Sequence, residues 1–76
     1  MNNQRRKTLK NAICQIEMVK ICIDSVLTEE ETCMYNMPES LQDTDRYYEM
    51  EDATCSMEDA IESLTDSVVS IKEAIG

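Results

Sequence analysis

From Tyr47 to Ile75, apolar residues recur at alternating steps of three and four without a break. The series is Tyr47, Met50, Thr54, Met57, Ile61, Leu64, Val68, Ile71 and Ile75. That period lines one edge of an α-helix and fits no strand. It is the a/d seam of a heptad repeat, and such a seam needs a second helix to cover it. Thr54 is its one polar member. Beside it runs a row of small residues, Ala53, Ala60, Ser67 and Ala74, which would let another helix approach closely. Thr44 or Asp45 can cap the start, and acids crowd the first turns.

The first half carries a related pattern. Leu9, Ile16 and Ile23 recur every seven residues, as do Ala12, Val19 and Val26. Ile13 and Leu27 widen this stripe, and Lys20 interrupts it. A further strip on another face, Cys14, Met18, Ile21 and Cys22, is more than a solvated surface helix requires. Pro38 disfavours helical geometry at Met37, so the first helix should stop before it. The expectation is two helices, about 3–34 and 44–75, joined by a short turn at 38–42 with Leu41 tucked inward. So short a connection makes the helices antiparallel neighbours. Paired positions should then sum to roughly 80, putting Leu9 beside Ile71 and Cys22 beside Glu58, and keeping Cys33 from Cys55.

The fold class expected is therefore all-α, an antiparallel two-helix hairpin forming a single domain over residues 1–76. Two helices enclose no interior, and so small a core rarely suffices. Self-association into a helical bundle should follow. Its seam would draw on Leu9, Ile13, Ile16, Met18, Ile21 and Ile23 of the first helix, and on Met57, Ile61, Leu64, Val68 and Ile71 of the second.

Composition excludes several alternatives. One glycine and one proline cannot supply the tight turns of a multi-stranded sheet. With no histidine, the commonest general base and zinc ligand is missing, and with it any Ser/His/Asp set or Glu-x-x-His di-iron motif. No glycine-rich phosphate loop and no EF-hand pattern is present. The chain is read as a non-enzyme with no cofactor and no metal. Cys14, Cys22, Cys33 and Cys55 form no C-x-x-C pair and are expected to be reduced thiols, mostly packed as small hydrophobes. No apolar run is long enough to span a membrane, and MNNQRRKTLKNAICQ lacks the apolar core of a signal peptide. The expected location is the cytoplasm.

Charge is the least ordinary feature. Residues 1–23 carry Arg5, Arg6, Lys7, Lys10 and Lys20 against Glu17, whereas residues 24–66 carry 14 acids against Arg46. The whole chain stands at −9. In a hairpin the acids gather at the loop end and along the second helix, the bases at the open end. Two binding surfaces follow. Arg5, Arg6, Lys7 and Lys10 at a helix N-terminus make a candidate anion site. Glu29, Glu30, Glu31, Tyr35, Tyr48, Glu51 and Asp52 make a candidate surface for a basic partner, with the tyrosines as anchors. Alternatively, the basic end of one protomer meets the acidic end of another and sets the oligomer register. Direct nucleic-acid binding is not expected from so acidic a chain.

The turn Tyr35-Asn36-Met37-Pro38-Glu39-Ser40-Leu41-Gln42, followed by Arg46-Tyr47 and an acidic Ala/Ile/Leu heptad helix, resembles small acidic two-helix proteins of phages and mobile elements. The resemblance covers roughly residues 29–62. It implies an origin rather than particular functional residues. That origin suggests a virion accessory, a modulator of transcription or replication, or a counter-defence protein. The leading expectation is a non-catalytic, homo-oligomeric binding protein that sequesters or blocks a host immune factor. The alternatives are a sponge for an anionic, cyclic-nucleotide signal bound at the basic N-terminal end, and a structural or assembly adaptor. Partners would accordingly be a second copy of the chain, and a host protein or a nucleotide.

Overall fold

The computed structural model describes residues 1–76 and contains two long helices and one short turn. Helix α1 spans Asn3–Tyr35, a 3-10 turn covers Glu39–Leu41, and helix α2 spans Asp45–Ile75. The helices pack against one another as an antiparallel hairpin, a rod of 59 × 15 × 12 Å. This is the fold class expected, and the helix boundaries fall within a residue or so of the sequence reading.

Local chemistry sets each boundary. Asn2, in extended backbone, accepts the Arg5 N–H on its side-chain oxygen at 2.8 Å and so caps α1. At the far end the Asn36 N–H reaches the Thr32 carbonyl at 3.0 Å, closing the last turn. Pro38 (φ −59°, ψ 146°) then stops helical continuation. Thr44 caps α2: its hydroxyl accepts the Tyr47 N–H at 3.4 Å and donates to the Leu41 carbonyl at 2.6 Å. That second bond ties the cap to the turn.

The inward face of α2 is the seam read from the sequence. Every member from Tyr47 to Ile75 is buried or half-buried. Thr54, the polar member, is 7% exposed and donates its hydroxyl to the Glu51 carbonyl at 2.8 Å, so burial leaves no unpaired donor.

The inward face of α1 differs from the expectation by one helical row. Leu9, Ile16 and Ile23 face inward as expected, but their companions are Ile13, Lys20, Leu27 and Met34. Val19 and Val26 instead lie on the flank, 48% and 53% exposed. The reason is packing volume: Leu27, 7% exposed, and Met34 fill the gap between helices that valines cannot reach. Lys20 fits the seam because its aliphatic stem lies along apolar surface while the ammonium reaches Glu17 at 3.6 Å. Arg6 and Glu30 occupy two further seam positions, both half-buried.

Two smaller expectations fail. Leu41 is 45% exposed rather than tucked in, since polar bonds pin the turn. The Gln42 amide donates to the Met37 carbonyl at 3.1 Å, and Met37 takes the inward place as the next seam step after Met34. All four cysteines are free and exposed rather than packed, because none falls on a seam position.

The seam therefore holds the hairpin together alone. Leu27→Ala should cost about 2–5 kcal/mol, the range for truncating a packed leucine. A core this size rarely supplies more than about 3–5 kcal/mol in total. Thermal melts followed by circular dichroism should show Leu27→Ala and Leu64→Asp both losing the cooperative transition, whereas exposed Leu41→Ala keeps it.

Candidate functional site

The basic end does not form a single anion pocket. Successive residues on a helix turn by about 100°. Arg5, Arg6 and Lys7 consequently point to three sides of α1, and Lys10 lies on the flank that it shares with Lys72 of α2. Arg6 turns inward: its Nε donates to the Ile75 carbonyl at 3.4 Å and its Nη1 to the Asn3 side-chain oxygen at 3.3 Å. It thereby serves the C-terminal end of α2, where free carbonyls and the negative end of the dipole favour a cation. The Arg5 N–H, one of the donors an anion would use, is already taken by Asn2. Arg6→Ala should consequently cost about 0.5–1.5 kcal/mol, the net value of a typical hydrogen bond, while Lys7→Ala leaves the melting midpoint unchanged. Thermal denaturation of the two variants checks this.

At the loop end the arrangement is more coherent. A shallow groove of about 470 Å³ runs along one flank, bordered by Glu31, Met34 and Tyr35 of α1 and by Tyr47, Thr54 and Glu58 of α2. Tyr35 stands 87% exposed at its rim. Tyr48, 50% exposed, meets Tyr47 edge to face, with ring centroids 6.2 Å apart and planes at 76°. That contact holds the Tyr48 ring against the helix while leaving its outer face in water.

The seven acidic and aromatic residues picked from the sequence do not all share this side. Heptad position puts Glu31, Tyr35, Tyr48 and Glu51 on the groove flank. Glu30 lies half-buried on the seam, Glu29 on the opposite flank, and Asp52 on the outer surface of α2. Conversely, Met34, Gln42 and Glu58 line the groove and were not singled out. Glu58 repeats Glu51 at seven residues, a signal visible in the sequence once the seam is known. Gln42 has no such signal, because only the turn geometry brings it there.

Little of the surface charge is neutralised within the chain. Its one ion pair is Lys20–Glu17, so Arg5, Lys7, Lys10, Arg46 and Lys72 pair with no carboxylate and 15 of the 16 acids pair with no cation. α1 has no acid in its first turn and no base in its last, against the dipole's preference, whereas α2 has Asp45 first and Lys72 last. No group of three or more cysteine or carboxylate side chains is placed to hold a metal ion. Neither helix is long and apolar enough to cross a membrane.

Met18 and Ile21 lie off the interhelical seam, 69% and 70% exposed. Leu9, Ile13, Ile16 and Ile23, with Met57, Ile61, Leu64, Val68 and Ile71, all lie on it. No family model, curated protein or solved structure matches the chain.

Proposed function

We propose that the protein is a non-catalytic, homo-oligomeric binding module whose groove flank engages a basic surface on a partner protein. The observation that carries this reading is the loop-end groove. It brings Glu31 and the exposed Tyr35 ring of α1 into one groove with Tyr47 and Glu58 of α2, with Tyr48 beside Tyr47. Aromatic anchors surrounded by carboxylates suit a partner presenting lysine or arginine among apolar residues. The carboxylates are free to do so, since only Glu17 has an ion-pair partner within the chain. Joined to the resemblance to small acidic phage proteins, this supports a counter-defence role in which the module blocks a basic functional surface of a host immune factor. The dispersal of Arg5, Arg6, Lys7 and Lys10 around α1 favours this reading over a nucleotide sponge.

Affinity capture from bacterial extract, repeated at about 0.1 M and 1 M salt, tests the reading. The Debye length falls from about 10 Å to 3 Å over that range. A retained protein should be released at the higher salt, and should be lost from a Tyr35→Ala/Glu31→Gln/Glu58→Gln variant at the lower. A capture unmoved by salt and by those three changes would refute the assignment.

A further inference from the structure

The two flanks of the hairpin are chemically opposite. On the groove flank, α1 presents Lys10, Glu17, Asp24 and Glu31 at seven-residue intervals, and α2 presents Glu51, Glu58 and Lys72. On the other flank the same intervals give Ala12, Val19, Val26 and Cys33 from α1, and Ala53, Ala60, Ser67 and Ala74 from α2. The next row outward is Gln15 and Cys22 on α1, with Ser56, Ser63 and Ser70 on α2. Charge enters these rows only at their ends, at Arg5 and Glu29 on α1 and at Arg46 and Glu49 on α2, and the stretch between is uncharged. In a chain with 30% charged residues, that uncharged middle stretch marks a face. It also adds a third apolar position to the a/d pair in each heptad. A strict a/d seam suits a two-stranded coil, while the third position belongs to helices that face the centre of a larger bundle.

We infer that this uncharged flank is the contact face of a homodimer, in which two hairpins pack face to face and head to tail as a four-helix bundle. The inference specifies the interface of the oligomer proposed above and rests on that reading. Area supports it. A compact folded chain of 8.7 kDa exposes about 4,700 Å² by the usual scaling of surface with mass. This hairpin exposes 5775 Å². The excess, on the order of 1,000 Å², is comparable to the roughly 800 Å² that each partner buries in a standard interface.

Charge decides what covers the face and in which direction. Residues 24–52, the loop half of the rod, hold ten acids against Arg46, whereas Arg5, Arg6, Lys7, Lys10 and Lys72 gather at the open end. A two-fold axis along the rod would stack the two acidic ends on each other. A two-fold axis across the rod lays the basic end of each copy over the acidic end of the other. Each α1 then runs antiparallel to the α1 of the second copy, and each α2 to its α2. Val19 and Ala60 are the midpoints of their helices and lie nearest the axis. Arg5, on the same flank, comes opposite Cys33 of the partner subunit, one helical turn from the partner's Glu29. The small α2 row lets the two α2 helices approach closely, and the groove flanks remain outside, one on each side.

Mass measurement by light scattering and native spectrometry tests the arrangement. The unmodified chain should run at twice 8.7 kDa. Val19→Lys with Ala60→Lys should abolish the dimer, although both changes lower the net negative charge and would relieve any mere repulsion between copies. Lysine is a good helix former, so the paired change does not disfavour the helices themselves. Thr65→Lys, exposed on the groove flank, should leave the mass unchanged. A single-chain mass for the unmodified protein would overturn both this face and the oligomeric reading above. A dimer that survives the paired lysines, or one that Thr65→Lys breaks, would overturn the face alone. With the four exposed cysteines changed to Ser, Ala60→Cys should cross-link into a covalent dimer on oxidation. Its failure to do so while the two-chain mass persists would overturn the head-to-tail direction.

Discussion

One seam holds this molecule in shape. α1 and α2 meet along a single line of alternating three- and four-residue steps, and no third layer covers either helix. Leu27, Val68 and Thr54 alone fall below a tenth exposed, so most seam residues keep some contact with water. The polar members of the α1 row explain part of this. Arg6, Lys20 and Glu30 occupy seam positions that larger apolar side chains would have sealed. Lys20 packs its stem and lets its head reach Glu17, while Arg6 holds the Ile75 carbonyl, which preserves the pairing but dilutes the core. A rod built this way depends on every leucine and isoleucine along its seam.

That dependence connects the fold to the proposed function. A hairpin with so thin an interior gains most from burying a second surface, and in the proposed dimer the uncharged flank supplies it. In that proposed arrangement the opposite flank, with its carboxylates and the exposed Tyr35, is left to meet a different molecule. The lack of internal ion pairing suits both proposed contacts: charges not satisfied within the chain remain available across interfaces, where they set direction and partner more than affinity.

Much of the architecture was legible in the residues. The α2 seam could be read member by member, because its nine positions never break step. Pro38 marked the end of α1, and Thr44 its successor's cap. The α1 seam was less legible. Its rows at Ala12, Val19 and Val26 and at Ile13, Lys20 and Leu27 differ by one residue, and hydrophobicity alone favours the former. Which row faces inward depends on the volume of the gap that α2 leaves. The candidate site divided similarly. Tyr35 and Glu31 were marked by type and place, whereas Glu58 and Gln42 joined them only through the pairing of the two helices and the path of the turn.

The sequence by itself determined that this chain forms two long helices, where they end, and that they fold back on each other. Those outcomes follow from local terms: periodicity, caps, and the fixed φ of one proline. Tertiary structure alone decided which way α1 is rotated about its axis. That rotation puts Lys20 on the seam and the valines outside, and turns Arg6 onto the end of α2. The physical reason is that a helix's period places its rows at fixed angles to one another, but only the shape and chemistry of the facing helix choose the row that turns inward.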